Sequence, residues 1–324
     1  MHGDVHGDTA RPLARTLTIR LGPRWLTARV TSQPLTARRL FDRFEPVHAL
    51  TYFAPEALAA FDAAGFRGFW MGYFAGRSAP LGPVPVELVT AIFYNFSASH
   101  VGRALPAAWG FASPGDALRI RERSAVAALR RCGVTGGADV EAAARLLAKA
   151  ARSAPLDGRP LFAANLALPW PDEPLATLWH AATLLREHRG DAHVAALSAF
   201  GVSGRDCNVL HSAAERVPRD FIMLSRRYDD DEWLSCTNRL VASGVLDLSG
   251  ALTDAGIALK QSIEDTTDRL ALGAFDALDD DEMESLFRAL TPITRAVIAG
   301  GDIPISTPMG LRRDDLDDDG AHLD

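Results

Sequence analysis

Lysine is nearly missing from this 324-residue chain. Lys149 and Lys260 are the only two, and arginine carries the rest of the positive charge. Acids are in excess and the formal net charge is −7, so the chain as a whole is not a polycation built to wrap a nucleic acid. The bias toward Ala, Arg, Gly, Leu and Asp is that of a GC-rich bacterial genome, which bears on codons and not on chemistry. Cysteine is also scarce. Cys132, Cys207 and Cys236 stand far apart with no CxxC spacing, which argues against a disulfide framework or a structural zinc site and fits a reducing cytoplasm. No apolar run reaches the roughly 18 residues of a membrane span. The first residues carry Asp4 and Asp8 and no apolar centre, unlike a secretory signal. A nucleophile elbow, a P-loop and a dinucleotide fingerprint are all missing. Gly133–Gly137 reads as a linker, because no strand precedes it and no Lys-Ser/Thr follows.

Helical periodicity is what the chain has instead. Residues 1–36 read as a flexible extension. It has no acid from Thr9 to Leu40 and a conceivable hairpin around Gly22-Pro23. A helical domain is expected over 37–174, with helices from Leu40, from Pro55-Glu56 to Gly65, through the aromatic run Phe66–Gly76, over 86–105, 114–132 and 138–153, and a loop over 157–174. The glycines at 68, 72 and 76 recur every four residues, which lets another helix or a ligand approach closely. A second domain is expected over 175–311. It starts with a charged helix over 175–200, kinked or broken at Gly190-Asp191 because that pair can close one helix and cap the next. Short helices 206–214 and 219–226, a longer one over 229–243, a very short β-hairpin at 244–253, and helices over 255–275 and 279–299 follow. Residues 312–324 are mostly aspartates and read as a disordered acidic tail.

Two stretches carry candidate chemistry. In the first, 179–197, an aliphatic helix holds three histidines, two arginines, a glutamate and an aspartate. Helical spacing puts His180, Glu187 and Asp191 on one face and Arg186, Arg189 and His193 on a neighbouring one. Such cargo must be paired, ligate something or face a cavity. Glu187 and His188 are the candidate catalytic residues. His188, Asp191 and His193 are the candidate metal ligands, although their spacing matches no established motif. The alternative is a buried ion-pair network joining Arg186 or Arg189 to Glu187, Asp191 or Glu173. In the second stretch, Trp70, Tyr73, Arg77 and Tyr94 bring polar ends into an aromatic wall, and Arg77 offers a fork for a carboxylate. His48 and Tyr52, one helical turn apart, can face the same cavity. His48, Tyr52, Trp70, Tyr73, Arg77, Tyr94, His180 and Arg189 are therefore the candidate ligand- or cofactor-binding set, with haem or a divalent metal as the conceivable cofactor. His100 and His211 read as core or surface residues.

The pattern Glu232-Trp233, Asn238-Arg239-Leu240-Val241, Gly244-Val245-Leu246, Gly250-Ala251-Leu252-Thr253-Asp254-Ala255-Gly256 and Thr267-Asp268-Arg269-Leu270 resembles MarR-like winged-helix proteins. The runs Glu45-Pro46-Val47-His48, Gly68–Val84, Phe93-Tyr94-Asn95-Phe96, 179–197 and Pro308-Met309-Gly310-Leu311 are similar to an actinobacterial family of helix-turn-helix proteins. The chain departs from that family at Arg226-Arg227-Tyr228, where Arg-Gly-Trp is expected. The resemblance implies a mainly α fold: a helical N-terminal domain plus a MarR-like winged-helix domain with a very short β-wing. It also implies a homodimer formed through the helices over 255–275 and 282–299. DNA reading fits less well. The candidate recognition helix opens Asp229-Asp230-Asp231-Glu232 and the wing has no basic residue, whereas phosphate contacts need cations. The expected function is a cytoplasmic protein that binds a small molecule or cofactor between the two halves, either as a binding protein or as an enzyme of bacterial specialised metabolism. The alternatives are a ligand-responsive regulator and a non-catalytic interaction module.

Overall fold

Helix caps set the element boundaries in the computed structural model of the chain, which describes residues 33–214 and 217–304. Pro55 and Pro114 occupy first turns, where a missing N–H costs nothing. Ser113 and Asp116 form a capping box, as do Asp279 and Glu282. Ser97, Asp229 and Thr253 each accept an N–H from the first turn of the helix they open. The helices are α1 (Gln33–Phe53), α2 (Pro55–Ala63), α3 (Gly68–Ser78), α4 (Val86–Phe93), α5 (Ala98–Ala104), α6 (Pro114–Arg131) and α7 (Ala138–Ser153), followed by α8 (Pro160–Leu166), α9 (Pro174–Ala199), α10 (Asp206–Ala213), α11 (Arg219–Arg226), α12 (Asp230–Ala242), α13 (Asp254–Leu272) and α14 (Asp280–Ala299).

Most expected helices are present, with four differences. α1 begins at Gln33, inside the expected extension; the hairpin around Gly22-Pro23 and the acidic tail lie outside the described residues. The 86–105 helix is two helices, because Tyr94 turns the chain at φ 59° and Ser97 caps a new start. The 157–174 loop contains α8. α9 runs unbroken through Gly190-Asp191, because Asp191 does not cap its own helix. Its Oδ2 instead accepts the Leu161 and Phe162 N–H groups, both at 3.0 Å, at the start of α8. Where a two-stranded wing is expected there is one antiparallel bridge, Leu246 to Leu252, and no strand occurs among the described residues. The Asp247 carboxylate accepts the Ser249 and Ala251 N–H groups, which closes the turn too tightly for a longer ladder.

Three cores organise the helices. The largest packs α1, α6, α7, α9 and α14 around Leu50, Leu129, Leu147, Trp179, Leu184 and Phe287. The second joins α2–α5 through Phe61, Phe74, Phe93 and Phe96. There Phe61 of α2 lies 3.2 Å from where a Cβ on Gly72 would sit and 2.8 Å from one on Gly76, so the glycine repeat serves helix packing. The third holds α10–α13 through Leu210, Ile222, Trp233, Leu240 and Ile263. α9 belongs to two of them, supplying Leu178–Leu185 to the first and Ala196 and Leu197 to the third. α13 and α14, the helices expected to form a dimer interface, pack on α1, α7 and α9 of the same chain.

Candidate functional site

A cavity of about 500 Å³ opens where α1, α3, α9, α11 and α13 meet, within the size range of small-molecule pockets. One wall is aromatic. Tyr52 and Tyr73 have ring centroids 4.9 Å apart, Tyr73 and Trp70 5.5 Å, and Tyr73 and Phe96 5.7 Å. Phe53, Phe69 and Phe93 continue it. The facing wall is the α9 stripe of Arg186, Arg189, Gly190, His193, Val194 and Leu197. It is a single helical face at the 3.6-residue period, and it corresponds to the neighbouring face expected for Arg186, Arg189 and His193. Six cations line the space (Arg38, Arg77, Arg186, Arg189, Arg226 and Lys260) against one carboxylate, Glu264. How each cation is compensated decides what the cavity can hold.

Two networks neutralise five of the six. In the first, Arg77 forks onto Glu187 with Nε to Oε1 at 3.1 Å and Nη2 to Oε2 at 3.0 Å, while its Nη1 donates to the Tyr73 hydroxyl at 3.2 Å. Arg186 donates to Glu187 at 2.8 Å and reaches Glu45 at 3.4 Å. Burial pushes the Glu187 carboxyl up, but Arg186 and Arg77 outweigh it and hold the group well below the usual carboxylate range. Glu45, fully buried and sharing Arg186, is pushed by burial up to about 7. The second network joins α1, α9 and α13. Arg189 donates to Asp268 at 2.8 Å, Lys260 pairs with Glu264 at 3.2 Å, and Arg38 pairs with Asp42 at 3.2 Å. His193 shares a 2.9 Å hydrogen bond with Thr267, and burial lowers its pKa to about 4.

Arg226, at the end of α11, is the sixth. It is 8 % exposed and stacks over Phe96 at 4.4 Å and Trp70 at 5.5 Å. Its Nε has no hydrogen-bond partner, and Nη1 reaches only Ser225 Oγ, at 3.4 Å. No carboxylate pairs with it among the described residues. Burial lowers its pKa from the ordinary guanidinium value.

Of the expected site residues, Tyr52, Trp70, Tyr73, Arg77, Tyr94, Arg189 and His193 line the cavity. Glu187 sits behind the wall, engaged by Arg77. His48 is a layer deeper, with Nδ1 2.9 Å from the Thr183 hydroxyl and Nε2 3.1 Å from the Tyr52 hydroxyl. His180, His188 and Asp191 are elsewhere. His180 packs edge-on to Trp170 at 4.9 Å. The His188 ring meets Phe162 at 5.0 Å and donates a hydrogen bond to the Pro155 backbone carbonyl. Asp191 holds the start of α8. His180, Glu187 and Asp191 therefore do not meet, and neither do the three expected metal ligands. His188 and Asp191 are engaged with the 155–162 segment while His193 lines the cavity, and no group of three or more His, Cys, Asp or Glu side chains that could hold a metal occurs among the described residues. Arg226 is the residue the sequence reading missed. In the sequence it stands out only within Arg226-Arg227-Tyr228, the departure from the resembled family, which says nothing of a cavity.

The backbone beside the cavity is strained. Tyr94 (φ 59°) and Arg227 (φ 55°) are the two non-glycine residues with positive φ among those described. One sits between Phe93 and Phe96, the other directly after Arg226. Such conformations persist only where surrounding packing enforces them. For Tyr94 the enforcement is visible: its hydroxyl donates to the Val202 carbonyl at 2.6 Å, and its own carbonyl lies 1.9 Å from where a Cβ on Gly204 would sit.

A family model described as a helix-turn-helix family matches residues 37–304. The chain belongs to that family. No curated protein and no solved structure matches it. In this helix-turn-helix protein, α12 covers the candidate recognition helix expected from the sequence and precedes the Leu246–Leu252 bridge. Its outward residues are Asp230, Asp231, Leu234, Ser235, Asn238 and Arg239. Arg239 is tied to Asp206 at 2.7 Å, and Arg205 to Glu232 at 2.6 and 2.8 Å. Arg219 reaches toward Asp230 at 3.4 Å. The face offers acids outright and cations already engaged. No helix among the described residues is long and apolar enough to cross a membrane.

Proposed function

We propose that this helix-turn-helix protein binds a small organic molecule with a flat apolar body in the cavity between α3 and the second half of α9. The observation that carries the reading is the cavity itself, with about 500 Å³ between an aromatic wall and a polar wall whose side chains are already held in place by Arg77–Glu187 and Arg189–Asp268. Preformed pockets of this size, mostly apolar with a few fixed polar groups, are the usual form of a small-molecule site. Aromatic faces select planar ligands, and fixing the polar groups in advance lowers the entropic cost of binding.

The test is a titration with N-phenyl-naphthylamine, an uncharged aromatic probe whose fluorescence rises in apolar surroundings. Saturable binding at one site per chain is expected. Val194→Trp, which fills the cavity from its α9 wall, abolishes that binding without unfolding the protein. No saturable signal in the wild type, or equal binding by the blocked variant, would sink the reading.

A second reading, a ligand-responsive transcription regulator, rests on the family and on one observation. Ile222 and Arg226 of α11 and Ile257 and Lys260 of α13 line the cavity, so an occupant touches the helices that frame the helix-turn-helix unit. The charge on the α12 face weighs against it, because acids there repel phosphate. A mobility shift on the protein's own upstream DNA at modest salt separates the two: a shift relieved by a cavity ligand supports the regulator, and no shift at micromolar protein removes it.

A further inference from the structure

The cavity reading says where a molecule binds; Arg226 says what chemistry that molecule carries. Every other cation on the cavity wall has a carboxylate within salt-bridge distance. Glu187 and Glu45 serve the α3–α9 side, and Asp42, Asp268 and Glu264 serve the α13 side. Arg226 has none, although it is as buried as they are. A buried cation without an anion is costly. Stacking on Phe96 and Trp70 recovers part of the loss through the face of the guanidinium. It leaves the in-plane N–H fork with no anion and only the 3.4 Å reach of Nη1 to Ser225, and that fork is the geometry that recognises planar oxyanions two bonds at a time. The positive-φ residues Tyr94 and Arg227 adjoin this contact along the chain, one just before Phe96 and the other directly after Arg226, so the chain leaves both partners of the contact through turns that side-chain-bearing residues rarely adopt. Conformations of this kind cluster at active sites and ligand clamps.

We propose that Arg226 anchors an organic oxyanion carried by an aromatic ring, the ring lying along the Trp70–Phe96 wall and the carboxylate, sulfonate or phosphate taking the position that no protein carboxylate fills. This rests on the cavity being a ligand site, and it is separable from it.

The decisive experiment compares two probes of one skeleton, uncharged N-phenyl-naphthylamine and anionic anilinonaphthalene sulfonate, on the full chain. The anionic probe binds about tenfold or more tightly than the neutral one, the advantage expected of a charge-assisted hydrogen bond. Arg226→Met, which keeps the apolar stem, abolishes the advantage and leaves neutral-probe affinity within about twofold. Arg226→Lys restores a part of it. The Val194→Trp variant confines the signal to the cavity. Equal affinity of the two probes for the wild type, or an anionic advantage that survives in Arg226→Met, overturns the oxyanion anchor while the cavity reading stands. Failure of both probes to bind overturns the cavity reading and the anchor with it. Should Arg226→Met not fold, the wild-type preference and the Arg226→Lys variant decide the matter between them.

Discussion

Arg77 and Glu187 are 110 residues apart in sequence and close on each other through two parallel hydrogen bonds of 3.1 and 3.0 Å. The guanidinium lies 4.3 Å over the Phe93 ring while it does so. The fork that the sequence offered to a ligand is therefore occupied by the protein, and its role is to fix the Tyr73 hydroxyl and the α9 wall. Removing one partner strands the other. Glu187→Ala is expected to cost about 3–5 kcal/mol in urea denaturation, the range for breaking a buried pair, and Arg77→Met added to it should recover part of that loss. A single-variant loss below about 1 kcal/mol would mean the pair is screened as a surface pair is.

Gly204 admits no side chain. A Cβ there would sit 1.9 Å from the Tyr94 carbonyl oxygen and 2.7 Å from its carbon, both backbone atoms. Gly204→Ala should lower stability by about 1–3 kcal/mol through overpacking. It should also weaken probe binding, because relief must come from moving the Tyr94 turn that positions Phe93 and Phe96.

Arg227 holds the left-handed conformation, with φ and ψ both 55°, which glycine adopts at no steric cost. The loop therefore carries a steric cost at Arg227 that glycine would avoid. Arg227→Gly is expected to raise stability by up to about 1 kcal/mol, the left-handed penalty less the extra entropy of glycine in the unfolded chain. A melting temperature that falls would show that the Arg227 side chain stabilises the fold by more than its conformation costs.

Asp191 serves α8 and not a metal. Asp191→Ala leaves the Leu161 and Phe162 N–H groups buried without an acceptor, and a loss of about 1–3 kcal/mol is expected. Asp191→Asn keeps an acceptor and should lose less. Equal losses for the two would point to the charge and not to the hydrogen bonds.

Acid should unfold the protein through its buried histidines. Burial lowers the His188 pKa from its ordinary value to about 3 and the His180 pKa to about 4. Between those values and about 6.5 the unfolded chain takes up protons that the folded chain refuses. The contribution to stability is therefore complete above 6.5 and is lost as pH falls toward 4. Asp191 runs the other way: burial raises it to about 6, so the stability it adds in acid disappears as pH rises through 6. His188→Gln should flatten the acid slope by at most about 1.4 kcal/mol per pH unit, read from denaturation series at several pH values. An unchanged slope would mean that His188 protonates in the folded state as readily as in water.

Where a pattern repeats over several turns, the sequence announced the structure. The 3.6-residue periods of 114–132 and 138–153 delivered α6 and α7, and the same period separated the cavity stripe Arg186-Arg189-His193 from its neighbours. Short and punctual features were illegible. α8 is only seven residues long and offers too little period to detect. The turn at Tyr94 lies inside an apolar run, with Asn95 and Ser97 as its only signals. Arg226 could not be found from sequence at all. Its significance is an absence, the missing carboxylate, and an absence is defined only once α11 is packed against α3–α5.

One last consequence comes from α9. Its 26 residues make a rod about 39 Å long, with no proline beyond its first turn and no break at Gly190. One end is seated in the main core and the other in the helix-turn-helix core, and the cavity touches the span between them. One unbroken helix therefore supplies a wall of the cavity and a part of two cores, so the side chains that line the cavity are held in register with the packing at both ends.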